Sequence, residues 1–270
     1  MSQLSQRFHR FLRRNVIVKA NISITESDLK LKGKAIIITG GTGGLGIEMA
    51  KRFIAEGASV LICGRNEKAL MDAKNELGCK ALTLDLTKVE TFDSFIEKSI
   101  ETLGRIDCLV NNAGISLHES FQTVTPEGFD LQVATNFRGP FFLSQKILAY
   151  MIENKIKGQI LFISSETGET ADIRPYGLTK ASINSLVQGL AYLYAKDGIR
   201  INAISPGVSA SSMTGINKGN LYYPANLTGR AYLPEEIAEV ATFILSDSSG
   251  CISGQIITCN NGNTINARWK

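Results

Sequence analysis

Tyr176 and Lys180 stand four residues apart in the run YGLTK, near the start of an expected helix. At that spacing both side chains lie on one face and can meet the same ligand. A phenol beside an ammonium is a proton-transfer pair: free tyrosine titrates at about pH 10, and a neighbouring positive charge stabilises its phenolate. Ser165 closes the preceding apolar run, QILFISS, and brings a hydroxyl to the same end of the sheet. Upstream, TGGTGGLG at 39–46 follows one apolar run and opens a helix, the context of a phosphate-binding glycine loop. Gly40 would make the tight turn, Gly44 would admit a pyrophosphate close to the backbone, and Gly46 would let helix pack tightly on sheet. The spacing is GxxxGxG rather than GxGxxG, and the missing GKS or GKT ending argues against a nucleoside triphosphatase. Taken singly, a helical tyrosine and lysine are more often a packed side chain and a solvated charge. Their conjunction with the glycine loop marks a site.

The elements that must position these groups alternate. The apolar runs KAIIITG, ASVLICG, KALTLDL, IDCLVNNAG, QILFISS, IRINAIS and GQIITCN read as strands. Helices are expected over about Gly46–Glu56, Glu67–Leu77, Val89–Leu103, Leu131–Ile152, Tyr176–Lys196 and Pro234–Leu245, with an ambiguous segment from Phe121 to Phe129. Near-continuous aliphatic strands have no wet side, so they predict an α/β fold: a doubly wound (Rossmann-like) parallel sheet of six to seven strands with helices on both faces. In such a sheet the ligand crevice lies at the carboxyl ends of the strands, where Asn111, Asn112, Gly114 and Ser165 would gather. No Pro- or Ser-rich linker interrupts the rhythm. Residues 31–270 are therefore expected to form one dinucleotide-binding catalytic domain, with a lid at about 208–230 and a basic extension at 1–30.

The second strand ends ICGRN, with Gly64 where an acid would hold the adenosine ribose of NAD and Arg65 directly after it. A basic residue there pairs with the extra phosphate of NADP; the bland reading is a solvent-facing loop arginine. Asp85, ending the third strand, either caps a turn or meets the adenine edge. The formal charge of +4 points to no nucleic-acid partner. Residues 1–25 carry Arg7, Arg10, Arg13, Arg14 and Lys19 with no acid, leaving 24 basic against 25 acidic side chains elsewhere. Cys63, Cys79, Cys108, Cys251 and Cys259 form no CxxC pair, and with two histidines they give no metal cluster or disulfide scaffold. No run approaches the roughly 18 apolar residues that span a bilayer. A cytoplasmic location is expected, with an organellar transit peptide in the arginine-bearing opening as the lesser alternative.

Together, TGGTGGLG, NNAG at 111–114, Asn136, Ser165 in SSETG, YGLTK at 176–180 and PG at 206–207 resemble the classical short-chain dehydrogenase/reductase family, in the family's order and from Leu31 to Gly262. The resemblance implies hydride transfer between NADP(H), or as the lesser choice NAD(H), and a small-molecule carbonyl or alcohol carbon. It makes Asn136, Ser165, Tyr176 and Lys180 the catalytic tetrad. Tyr176 would exchange the proton, Lys180 would support its phenolate and hold the nicotinamide ribose, and Ser165 would bind the substrate oxygen. Asn136 would stabilise a helix bulge and a proton-relaying water. Cofactor contacts are expected from Gly40, Thr42, Gly44, Leu45 and Gly46 at the first turn, and from Arg65, Asp85 and Leu86 beside the adenosine. Further contacts are expected from Asn112, Ala113 and Gly114, from Tyr176 and Lys180, and from Pro206, Gly207 and Val208 beside the nicotinamide.

The chain departs from the family pattern in three places. Ser164 competes with Ser165, although adjacent strand residues face opposite ways and the glycine three positions on, Gly168, selects Ser165. The closing strand reads CNNGNTINARWK, with Asn260 where the family places an acid and Asn261 in place of a glycine. The lid mixes small residues with Tyr222, Tyr223, Asn217, Asn226 and Arg230, a polarity that leans toward a hydroxylated substrate or simply toward a mobile surface. A homodimer or homotetramer is implied through the helices near 131–152 and 176–196, the second carrying Leu186, Val187, Leu190, Leu193 and Tyr194. The competing functions are a sugar-modifying enzyme on the same fold and a non-catalytic dinucleotide-binding protein.

Overall fold

A computed structural model describes residues 16–20, 28–211 and 213–265. The arginine cluster at Arg7–Arg14 and the tail at Trp269 and Lys270 lie outside the described residues. Strands and helices alternate as β1 (Ala35–Thr39), α1 (Gly44–Ala55), β2 (Ser59–Gly64), α2 (Glu67–Leu77), β3 (Lys80–Thr83), α3 (Phe92–Leu103) and β4 (Cys108–Asn111). The second half runs α4 (Pro126–Val133), α5 (Gly139–Glu153), β5 (Gln159–Ile163), α6 (Pro175–Tyr194), β6 (Arg200–Pro206), α7 (Pro234–Leu245) and β7 (Ile256–Cys259).

The strands form one parallel sheet in the order β3-β2-β1-β4-β5-β6-β7. Both faces are dry, as the aliphatic runs require. Ile37, Leu61, Leu109, Ile160, Phe162 and Ile201 point to one face, where α3, α5 and α6 cover them with Phe92, Phe95, Leu143, Ile147, Ile183 and Val187. The intervening residues Ile36, Ile38, Val60, Ile62, Val110 and Leu161 meet Met49 and Phe53 of α1, Leu70 of α2 and Ile237, Ala241 and Ile244 of α7. This is the doubly wound arrangement, in which burial of each apolar side chain contributes about 1.5–3 kcal/mol. Among the described residues no helix is long and apolar enough to cross a membrane, and no group of acidic, histidine and cysteine side chains could hold a metal.

The expected helix from Leu131 is corrected. Helix begins earlier, at Pro126, with Thr125 as its N-cap accepting from Gly128 N–H at 3.1 Å. It then passes through a π-helical turn, Ala134–Arg138, before α5. Pro140 at the start of α5 has no N–H to continue the ordinary ladder, which suits a local widening there. The helix that carries Tyr176 starts with Pro175 and ends at Tyr194, two residues before the expected end, in a 3₁₀ turn closed by Gly198. Asn261 adopts φ +50°, so it occupies the left-handed position of the family's glycine as the side chain that tolerates it best.

Residues 16 and 18, from the expected basic extension, hydrogen-bond to the 208–230 segment. The Leu221 amide donates to Val18 O (2.9 Å), and Asn220 bridges to Val18 N–H (3.2 Å) and Val16 O (3.2 Å).

Candidate functional site

Strand order reverses between β1 and β4, so the turns leaving these neighbours diverge and open a crevice at their carboxyl ends. A cavity of about 760 Å³ occupies it. Its walls include all the expected cofactor residues except Gly46, and also Ser165, Tyr176 and Lys180; Asn136 sits behind the wall.

The glycine loop is held by short-range fit. Gly40 has φ +65°, and a Cβ there would lie 2.9 Å from Ala113 Cα. A Cβ on Gly46 would run into Gly40 O and come within 2.7 Å of Asn112 Nδ2, so Gly46 packs the loop against β4's turn rather than the helix against the sheet. Asn112 clamps the same place: its Nδ2 donates to Thr39 O (2.9 Å) and Gly40 O (3.0 Å). Thr39 Oγ1 accepts from the Asn112 and Ala113 amides at 3.0 Å each. Asn112 therefore lines the cavity while its amide group serves the loop. Thr39, hidden in an apolar run, was not legible as a site residue. Helix α1 opens with Gly43 as N-cap, no capping side chain and no acid in its first turn, leaving positive dipole and free N–H groups at the cavity. That uncapped end and the space kept by the glycines fit a dinucleotide pyrophosphate.

At the adenosine end, Gly64, Arg65, Asn66, Asp85 and Leu86 line the cavity. Asn66 caps α2 through Ala69 N–H (3.0 Å). Arg65 is exposed and forms no ion pair among the described residues. Asp85 caps its own turn, accepting from Thr87 N–H (3.0 Å) and hydroxyl (2.8 Å). Partial burial opposes its ionisation, but the Thr87 hydrogen bonds and the charges of Arg65 and Lys88 outweigh it and hold its pKa below the usual range.

At the other end, the start of α6 brings Tyr176 and Lys180 over the end of β5. The Tyr176 hydroxyl lies close enough to Ser165 for the serine to favour its phenolate. Lys180 Nζ lies 5.5 Å from the tyrosine ring centroid and donates to Ile163 O at 2.7 Å. Burial pushes the Lys180 pKa down to about 8. Burial also raises that of Tyr176, against the Ser165 hydrogen bond and the positive charge of Arg174. Ser164 points the other way, donating to Asn184 Oδ1 (2.6 Å) and Lys180 O (3.3 Å). Asn136, in the π-helical turn, exchanges hydrogen bonds of 2.8 Å with both backbone groups of Ile115 and reaches Thr179 Oγ1 at 3.4 Å. Gly114 sits where Asn136 Oδ1 and Lys180 Nζ converge, 3.4 and 3.6 Å from a Cβ built on it.

The lid's polar side chains largely serve the lid. Arg230 pairs bidentately with Glu236 (2.7 and 2.8 Å), Asn226 donates to Arg230 O (2.7 Å), and Asn217 accepts from Gly219 N–H (2.7 Å). Of the polar lid residues singled out in the sequence, only Tyr223 lines the cavity, beside Ser209, Ser211, Met213 and Thr214. The lid's composition thus says less about the substrate than its polarity implies.

Sequence reasoning also missed Glu166, which lines the cavity directly after Ser165. Its Oε2 accepts from Nδ2 of Asn260 (3.0 Å) and of Asn263 (3.2 Å). An amide at 260, in place of an acid, was the available signal: it calls for an acceptor opposite, and a carboxylate at both positions would repel.

These features define a dinucleotide-dependent oxidoreductase. A family model described as "Enoyl-(Acyl carrier protein) reductase" matches residues 40–264. The chain belongs to the short-chain dehydrogenase/reductase family. It is 32% identical over 254 residues to L-rhamnose 1-dehydrogenase (NADP(+)) of Thermoplasma acidophilum, covering 88% of this chain and 99% of that protein. It is also 32% identical over 250 residues to a probable 2,4-dienoyl-CoA reductase of Bacillus subtilis, covering 87% and 98%. Among solved structures, 3-ketoacyl-(acyl-carrier-protein) reductase from Brucella melitensis complexed with NADH superposes with a TM-score of 0.82 at 29% identity, covering 87% of this chain and all of that one. A short-chain dehydrogenase from Bacillus anthracis gives 0.81 at 31%, covering 89% and 100%.

The Asn260–Glu166 pairing yields a stability prediction. Asn260→Asp sets a carboxylate against a carboxylate in a buried position, costing about 1–3 kcal/mol at neutral pH. The loss should shrink as the pH falls and the introduced carboxyl, once protonated, can donate. Urea unfolding at pH 7 and pH 4.5 measures both; an equal cost at the two values contradicts the pairing.

Proposed function

We propose that this chain is an NADP(H)-dependent oxidoreductase acting on a carbonyl or secondary alcohol carbon of a small molecule, with Tyr176 as its acid and base. The observation that carries the reading is convergence: Tyr176, beside Ser165 and flanked by Lys180, shares one cavity with the uncapped start of α1. The cofactor, when bound, supplies or accepts the hydride.

In reduction the Tyr176 hydroxyl donates its proton to the substrate oxygen, and in oxidation the phenolate takes it back. Burial keeps Tyr176 protonated at rest, which suits the reductive direction. Oxidation needs the ammonium of Lys180 to stabilise the phenolate. Ser165 donates to the substrate oxygen as charge gathers there. Asn136 is a positioning residue, fixing Ile115 and through it the wall beside Lys180.

Arg65 supports NADP(H) over NAD(H). It is an exposed cation at the end of β2 without an ion pair among the described residues, and Gly64 leaves no carboxylate there to hold a ribose diol. The Thermoplasma relative carries NADP(+) in its name, and the Brucella structure holds NADH, so the comparisons alone do not choose. The same reading makes the chain a homodimer or homotetramer. Val187 of α6 faces the core, with Leu186, Leu190 and Tyr194 packed beside it, while Leu178, Tyr192 and Leu193 are exposed for a partner. A monomeric mass by light scattering at micromolar concentration defeats the oligomer.

NADPH and NADH consumption over a panel of ketones, aldehydes and hydroxy compounds tests the activity; no turnover with either cofactor overturns it. Tyr176→Phe should lower kcat by about 10²–10⁴. Ser165→Ala should be severely impaired and Ser164→Ala much less so; near-wild-type turnover of the Ser165 variant reverses the assignment. Because Lys180 loses its proton as the pH rises through about 8, reductive kcat/KM should decline above that value. A profile flat to pH 10 contradicts that role. Arg65→Ala should raise KM for NADPH about ten- to hundredfold, the worth of a charge-assisted hydrogen bond, with little change for NADH. Equal effects on both cofactors remove the case for NADP.

A further inference from the structure

Glu166 is not accounted for by the proton chemistry, yet it stands beside the reacting centre. It opens the 3₁₀ turn Glu166–Gly168 that follows Ser165, and it lines the cavity. Two amides from the end of the chain, Asn260 and Asn263, both donate to its Oε2 and fix its conformation. Its Oε1 has no partner among the described residues. An ionised carboxylate only accepts hydrogen bonds, so a cavity-lining carboxylate with one oxygen unpartnered can take a donor from the ligand.

The surrounding groups narrow that donor. Ser116, His118, Thr167 and Tyr223 line the same cavity and can give or accept hydrogen bonds without carrying a fixed negative charge. Arg174 also lines it, but Asp172 holds the guanidinium in two hydrogen bonds of 2.9 and 2.6 Å and neutralises it. An anionic group set against Glu166 would meet a carboxylate that has no ion pair among the described residues. A cationic one would share the cavity with the buried ammonium of Lys180. Neutral hydroxyl groups satisfy Glu166 and escape both penalties.

We propose that Glu166 is the specificity-determining residue of this pocket. It selects a neutral polyhydroxylated substrate by accepting hydrogen bonds from hydroxyls next to the carbon held at Ser165 and Tyr176. The inference rests on the oxidoreductase reading above. Asn260 and Asn263 act through Glu166 and are positioning residues.

The test measures kcat and KM with NADP⁺ for a panel of aldoses and alditols, their deoxy counterparts, amino alcohols, and cyclohexanol as the single-hydroxyl reference. Wild-type and Glu166→Gln proteins are compared. Gln is nearly isosteric and keeps an oxygen for Asn260, and thermal unfolding checks that the variant is folded. The wild type should prefer polyhydroxylated compounds. Glu166→Gln should lower that preference about ten- to hundredfold, the range for a hydrogen bond to a charged group, with the loss in KM rather than kcat. An equal loss across all compounds means that Glu166 acts only by supporting Ser165, and it overturns the proposal. So does a wild type that turns over cyclohexanol or amino alcohols better than polyols, although the oxidoreductase reading then stands. Absence of turnover with every compound and either cofactor fells both.

Discussion

The site depends on the clamp between the turns that leave β1 and β4. These strands are neighbours in the sheet, and the connections beyond them lead to opposite sides, so their ends must part. Thr39 and Asn112 stop that parting from becoming disorder. Four hydrogen bonds of 2.9–3.0 Å join the two turns, and Ala113 Cα fills the space that a side chain on Gly40 would need. The glycine loop is thereby shaped before any ligand arrives, with its free N–H groups already directed. Such preorganisation lowers the ordering cost of binding.

The end of the cavity at Tyr176 and Lys180 shows a different balance. Lys180 is nearly fully buried, and desolvation works against its charge, yet Ile163 O accepts from it and Tyr176 lies over it. The result is an ammonium that is charged at neutral pH and close to losing its proton, next to a phenol whose own pKa burial raises. Burial thus pulls the two titrations apart and leaves the phenol as the group that holds its proton, the environment of an acid. Ser164 and Asn184 secure the helix that presents them: the serine hydroxyl bridges to Asn184, which in turn donates to Gly168 O at 3.0 Å.

The carboxyl end of the chain is tied into this centre. Thr258 and Thr264 reach Glu169, while Asn260 and Asn263 reach Glu166, so the segment after β7 supports the loop that carries Ser165. In this chain the acid stands on the loop after Ser165 and the amide directly after the closing strand. The departure from the family pattern at position 260 is thus one half of a complementary pair.

Read without its structure, the chain already shows the sheet and most of the residues that line the cavity. Aliphatic runs without a polar alternation can only be strands covered on both faces, and glycines between a strand and a helix can only be a turn that must stay free of side chains. Tyr176 and Lys180 were legible because four residues along a helix is a local spacing. The alternation of a strand left one of Ser164 and Ser165 for the crevice, and Gly168 three positions on pointed to Ser165. Thr39, Glu166 and the internal contacts of Asn112, Asn226 and Arg230 were not legible, because a hydroxyl, a carboxylate, an amide or a guanidinium has the same appearance in sequence whether it faces ligand or neighbour. Which it faces is set by contacts between segments far apart in the chain, such as Asn260 with Glu166 or Arg200 of β6 with the carbonyls of Ile244 and Ser246. Local pattern fixes periodicity and turn chemistry; only the assembled sheet decides which polar groups are satisfied inside the protein and which are left for a substrate.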